Sequence, residues 1–247
     1  MKALIDLDWQ KAALEMAIKE GKAVLLIGET GTGKTTLAIQ TAELLGREVI
    51  RVNLDGGTSP DELVGRYQLA EGKTYFQEGV IPQAMRGGKV LILDELNAAL
   101  PDSLFVIHAI LEDKPRLFIP ELGETIYPAR GFMIISTMNP SHEYAGTKTV
   151  NAALYSRFAQ VLRFSPLTGE SLVKALGENI PEARGEDICA VASIIEENIA
   201  LREKGQVTTR MTIREGICAL AFRVRGMELK DSIEVSMLQK MDYEERT

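Results

Sequence analysis

The sequence predicts an α/β fold in which a parallel sheet lies between helices and is followed by a small α-helical unit. Three observations predict it. Apolar runs at 23–27, 48–53, 89–93, 132–137 and 160–164 alternate with helical stretches, and strands that alternate with helices pair in parallel, because each crossover lays a helix across the sheet. The first run passes directly into Gly28-Glu29-Thr30-Gly31-Thr32-Gly33-Lys34-Thr35, which fits GxxxxGK(S/T) at every fixed position between a strand and a helix. From Ser165-Pro166 onward the strands stop, and helical periodicity occupies 171–176, 186–203, 210–225 and 229–240. The predicted division is therefore 1–165 for the α/β domain and 166–247 for the helical one.

The 247 residues are 45% hydrophobic and 26% charged, an ordinary globular balance. No apolar run approaches the roughly 20 residues that cross a bilayer, and Asp6 interrupts the stretch where a signal peptide would be apolar. The expectation is a cytoplasmic chain with no membrane partner. Cys189 and Cys218 lie in apolar helical stretches without metal-ligand spacing, which predicts buried, reduced thiols. A net charge of −7 opposes a nucleic-acid backbone overall, yet leaves room for a locally basic pore.

The glycines of the loop allow a backbone whose N–H groups point inward at phosphate oxygens, and the helix that follows adds the positive end of its dipole. Gly28, Glu29, Thr30, Gly31, Thr32, Gly33, Lys34, Thr35 and Thr36 are thus the candidate triphosphate-binding set, with Lys34 on the β- and γ-phosphates and Thr35 offering its hydroxyl to Mg²⁺. The third run ends in Asp94-Glu95. A buried strand delivers Asp94 to the phosphate side, as a second metal-site group, and lets Glu95 polarise an attacking water. Asn139 follows the fourth run, between the tips of the first and third, within reach of a γ-phosphate and a lytic water. Taken alone, it reads better as a turn asparagine before Pro140. Arg157 closes a short helix before the fifth strand and could be a surface arginine. Arg210 opens a helical stretch, where the dipole gives a cation no reason to stand. Two hairpins, turning at Glu71-Gly72-Lys73 and Glu121-Leu122-Gly123, either cover the sheet or serve function.

Together these residues resemble the AAA+ ATPases, and within them the MoxR-type branch that includes gas-vesicle, Rubisco-activating and cobaltochelatase-type members. The resemblance rests on the phosphate loop, on Leu91-Ile92-Leu93-Asp94-Glu95-Leu96-Asn97, on Thr137-Met138-Asn139-Pro140, on Tyr144-Ala145-Gly146-Thr147 with the segment from Asn151 to Phe158, and on Thr208-Thr209-Arg210. It implies an AAA+ core with a helical lid that hydrolyses ATP with Mg²⁺. In that scheme Glu95 is the catalytic glutamate, Asn139 the sensor 1 residue, Arg157 the arginine finger and Arg210 the sensor 2 arginine. Asn53 matches a position that can hold the glutamate inactive, and the hairpins match the family's inserts. The resemblance further implies self-assembly into a ring, usually a hexamer, in which Arg157 serves the neighbouring subunit, with the sheet order expected to put it far from its own phosphate loop. A protein client to be remodelled or matured is implied, often with a partner bearing a von Willebrand factor A domain. A nucleic-acid motor and the motor subunit of a metal chelatase are the alternatives. Because the chain ends at Thr247, soon after the lid, client recognition is expected to use the inserts, pore loops or an adaptor.

Overall fold

Burial on both faces explains why the central strands read as unbroken apolar runs. The computed structural model describes residues 5–70, 72–140 and 152–241. The larger unit comprises residues 9–28 and 34–164. Its elements in chain order are α1 (Asp8–Glu20), β1 (Val24–Gly28), α2 (Lys34–Leu44), β2 (Val49–Asn53), α3 (Pro60–Val64), β3 (Gly65–Ala70), β4 (Lys73–Glu78), α4 (Val80–Gly87), β5 (Val90–Asp94), α5 (Pro101–Ile110), β6 (Leu117–Ile119), β7 (Glu124–Ile126), β8 (Met133–Met138), α6 (Ala152–Tyr155) and β9 (Gln160–Phe164).

The central strands β1, β5 and β8 are buried at every position, as expected of a parallel sheet covered by helices. The sheet order is β2-β5-β8-β1-β9, with all pairs parallel. One face packs Leu25, Ile27, Leu91, Leu93 and Ile134 against Ile81 and Met85 of α4 and Ile107 of α5. Helix α2 packs against β1, β2, β5 and β8. Both predicted hairpins form, β3 with β4 and β6 with β7, each antiparallel. The Tyr67 hydroxyl donates to the Glu121 carbonyl at 2.8 Å and so ties one hairpin to the other.

The sheet order corrects one expectation. Strand β9 lies directly beside β1, so Arg157, just before β9, is not separated from the phosphate loop by the order of strands. The separation runs along the strands instead, as described below.

The second unit contains Ser165 onward together with Glu29–Gly33 and the residues up to Asp8. Its helices are α7 (Gly169–Asn179), α8 (Gly185–Glu203), α9 (Ile213–Val224) and α10 (Leu229–Ser236), packed around Leu172, Leu176, Val191, Ile195, Leu220 and Met237. Helix α9 begins at Ile213, three residues later than the periodicity predicts, and Arg210 precedes it. The cause is a capping box: Thr212 accepts from the Arg214 N–H at 3.2 Å, and Glu215 accepts from the Thr212 N–H at 2.9 Å. The cysteines also differ from expectation. Both thiols are free and exposed, because the buried stripe of α8 runs through Ile188, Val191, Ala192 and Ile195 and that of α9 through Gly216, Ala219 and Leu220, leaving Cys189 and Cys218 on the outer faces.

Burial alone would raise the Glu215 carboxyl, but bonds from Lys240, the Thr212 hydroxyl and backbone N–H groups outweigh it and hold the group below its ordinary range. A carboxyl with a depressed folded value stabilises above its unfolded value and loses that contribution as pH falls through the folded one. Glu215→Gln is therefore expected to cost about 1 kcal/mol at neutral pH. The difference from wild type should shrink below about pH 4. Urea unfolding of both proteins at several pH values checks this, and a pH-independent difference would show that the ionised cap is not the source.

Candidate functional site

Strand register assembles the polar groups. On β1 and β8, Leu26 pairs with Thr137 and Ile27 with Met138, so the next step sets Gly28 beside Asn139. On β5 and β8, Leu93 pairs with Ser136, which sets Asp94 beside Thr137. Asn53 is the register partner of Asp94 on the other side. Gly28, Asp94, Asn139 and Asn53 therefore stand at adjoining strand ends, at the carboxyl end of the sheet where open α/β sheets bind ligands.

Lys34, the first residue of α2, is buried, and its Nζ donates to the Gly28 carbonyl at 2.7 Å and to Asn139 Oδ1 at 3.1 Å. Asn139 is itself held by Asn97, whose Nδ2 donates to the Asn139 carbonyl at 3.0 Å. Asp94 is 2% exposed. Its Oδ1 accepts from the Thr35 hydroxyl at 2.9 Å and from the Thr137 hydroxyl at 2.8 Å, while Oδ2 accepts from Arg51 Nε. Glu95 follows in the left-handed region, φ 58° and ψ 44°, and its N–H donates to the Thr137 hydroxyl at 3.2 Å. Apart from Asp6, it is the only described non-glycine residue with positive φ. Glu95 is exposed, and no hydrogen bond joins it to Asn53.

The loop Glu29–Gly33 carries positive φ at Gly31 (87°) and Gly33 (88°), and the Thr32 hydroxyl donates to the Glu29 carbonyl at 2.8 Å. A Cβ on Gly31 would stand 2.8 Å from the Thr212 Cβ, so that position admits only glycine without a shift of its surroundings. Arg210 pairs with Glu29 at 3.1 Å. Both line a cleft with Thr30, Thr32 and Arg202. Thr36 is partly buried on α2.

Arg157 is not part of the cluster around Lys34. It donates to the Ala153 carbonyl at 2.6 Å and lies 3.9 Å from a Glu112 carboxylate oxygen. It lines a cavity of about 740 Å³ with Lys22, Glu112, Asp113 and Lys114, near the starts of β1 and β8. Gly28 is at the other end of β1, and the four steps from Val24 to Gly28 at about 3.3 Å each put roughly 13 Å between the two ends. Burial, and then the charge of Arg157, hold His108 below its ordinary value against an opposing pull from Glu112.

Sequence reasoning named Lys34, Thr35, Asp94, Glu95 and Asn139, which the fold gathers at adjoining strand ends. It missed Arg51, Thr137, Asn97 and Arg202. Arg51 had a signal, a charge inside the apolar run Val49-Ile50-Arg51-Val52. The Thr137 hydroxyl could be anticipated only from the strand register. Tyr144, Ala145, Gly146, Thr147 and Asn151 lie outside the described residues.

The donor set fits Mg²⁺. A hydroxyl and a carboxylate oxygen 2.9 Å apart are hard ligands of the kind this ion takes in ones and twos, its remaining positions going to water and phosphate.

A family model for the AAA domain of the dynein-related subfamily matches residues 23–158. Protein NorQ of Paracoccus denitrificans is 30% identical over 231 residues, 93% of this chain and 84% of that protein. Midasin of Giardia intestinalis is 34% identical over 165 residues, 66% of this chain, which spans only 3% of that relative's length. A solved structure of a candidate ATPase from Cytophaga hutchinsonii shares the fold, with a TM-score of 0.59 at 16% identity over 98% of this chain and 91% of that one. With more than half of its length matched by the family and nearly all of it aligned to NorQ, the chain belongs to the dynein-related subfamily of AAA domains, as a MoxR-like AAA+ ATPase.

Proposed function

We propose that the chain hydrolyses ATP within a ring of identical subunits, a hexamer by resemblance, and uses the cycle to remodel or mature a protein client. The observation that carries this reading is the convergence of Lys34, Thr35, Asp94 and Asn139, with Glu95 beside them, at the ends of β1, β5 and β8. Lys34 receives the β- and γ-phosphates in place of its present oxygen partners, and the loop N–H groups hold the phosphate chain. Thr35 and Asp94 would hold Mg²⁺, which would supply charge neutralisation. Glu95 accepts a proton from the attacking water, and Asn139 orients that water. Arg210 leaves Glu29 for the γ-phosphate, with the helices after residue 165 acting as a lid. Arg157 serves the next subunit's site, a reading supported by its place at the opposite strand ends from its own Lys34.

The first hairpin exposes Tyr67, Leu69 and Tyr75 and the second Phe118 and Leu122, which suits them to hold a client. A partner with a von Willebrand factor A domain is part of the proposal by resemblance alone. No helix among the described residues is long and apolar enough to cross a membrane.

Lys34→Ala is expected to lose most affinity for ATP while remaining folded. Equilibrium binding of a fluorescent ATP analogue checks this, and unchanged affinity would remove the phosphate-loop assignment. Glu95→Gln is expected to bind ATP normally and hydrolyse it at least about 100-fold more slowly, the scale of a lost general base. Phosphate release measured beside binding separates the two effects, and near-normal turnover would leave Glu95 as an exposed strand end.

Arg157→Ala should bind ATP and assemble yet turn over poorly. Mixed with Lys34→Ala, it should regain part of the activity, because one kind of mixed interface joins an intact Lys34 site to an intact Arg157. Phosphate release across a titration of the two variants at fixed total protein decides this. Activity that never exceeds the sum of the separate variants, despite demonstrated subunit exchange, would show that Arg157 does not act on a neighbour.

A further inference from the structure

We propose that Arg51 is a positioning residue for Asp94, fixing the plane of its carboxylate and thereby setting how much Mg²⁺ the chain needs to bind nucleotide tightly. The inference rests on the reading of Asp94 as a metal-site group. Arg51 lies on β2, the edge strand of the sheet. Its register partner on β5 is Ile92, and Asp94 stands two residues further along that strand. Residues two apart share a face, as do register partners, so Arg51 and Asp94 leave the sheet on the same side, one diagonal step apart and within reach of a long side chain.

The hydrogen bonds define what Arg51 adds. Both threonine hydroxyls, from Thr35 and Thr137, donate to the same oxygen, Oδ1. Two donors on one oxygen anchor that atom but leave Oδ2 able to swing about it. Among the described residues, Arg51 Nε is the donor that holds Oδ2. The Arg51 side chain is 50% exposed and the Asp94 side chain 3%, so a guanidinium at the solvent edge reaches a buried acid. Removing it leaves a buried carboxylate oxygen without its donor, a greater loss than that of a surface ion pair.

A cation beside Asp94 also opposes a second cation electrostatically. Because the guanidinium is half solvated, that repulsion is screened, and the geometric effect outweighs it. Groups that orient metal ligands in this way commonly change metal affinity by about 10- to 100-fold when removed.

The test is equilibrium binding of a fluorescent, slowly hydrolysed ATP analogue to the full chain, in EDTA and across a Mg²⁺ titration, with thermal melting of the same samples to confirm folding. Arg51→Gln should leave affinity in EDTA within about twofold of wild type and raise the Mg²⁺ midpoint about tenfold. Arg51→Lys should raise it less, since an ammonium can still donate to Oδ2. Asp94→Asn serves as the reference and should also raise the midpoint. If Asp94→Asn raises it while folded Arg51→Gln leaves it unchanged or lowers it, the positioning role is overturned and the reading of Asp94 stands. If Asp94→Asn has no effect, that reading fails and the inference with it. Should Arg51→Gln not fold, Arg51→Met, which also removes the donor, takes its place, and an unchanged midpoint there overturns the proposal.

Discussion

The register between β1, β8 and β5 is the constraint on which the candidate site depends. Each of these strands is apolar and buried along its length, and a shift by one residue would turn every side chain to the opposite face. Packing therefore locks the pairing, and the pairing decides which polar residues meet where the strands end. Lys34 bonds both Gly28 and Asn139 because those two are neighbours by register. Asp94 bonds Thr137 for the same reason. The site thus inherits its geometry from hydrophobic burial, without needing a loop to be held in place by its own contacts.

Glu95 shows a local cost that this packing sustains. Left-handed backbone at a residue with a Cβ costs roughly 1–2 kcal/mol, and nothing in the burial of Glu95 repays it, since the side chain is exposed. What maintains the conformation is the hydrogen bonding around it. The Glu95 N–H goes to the Thr137 hydroxyl, and its carbonyl accepts from the Ala98 N–H at 2.8 Å. The strained backbone also turns the chain immediately after Asp94, so that two adjacent acids take different environments, one buried among donors and one open to solvent. Strain of this kind, retained where glycine would relieve it, points to a use for the side chain.

Much of this was legible in the sequence, for identifiable physical reasons. The three central strands read clearly because burial on both faces leaves little but apolar residues, as in Val90-Leu91-Ile92-Leu93. The phosphate loop read clearly because its backbone requires glycine where φ is positive, at Gly31 and Gly33. The start of α9 was misjudged, although Thr212 and Glu215 spelled a capping box, because apolar periodicity alone does not mark where a helix begins. The cysteines were misjudged because α8 and α9 carry apolar residues on more than their buried stripe, so composition did not tell which face Cys189 and Cys218 occupy. The position of β9 beside β1 was not legible at all, since strand order depends on crossovers that no local pattern records. Arg51 was visible as an unexpected charge, but its partner two positions past its register neighbour was not.

The loop from Glu29 to Gly33 joins β1 to α2 covalently, yet its contacts group it with the helical residues. Two of those contacts are the ion pair of Glu29 with Arg210 and the close approach of Gly31 to Thr212. The second explains why glycine is required at position 31 twice over, once by φ and once by the methyl and hydroxyl of Thr212. Thr212 is also the cap of α9, so the residue that begins the helix is the residue that closes on the loop. A side chain at position 31 would have to displace a helix cap as well as strain its own backbone. The capping threonine and the loop glycine are in that sense one structural requirement, and the sequence has met it with the smallest residue at one position and a short β-branched alcohol at the other.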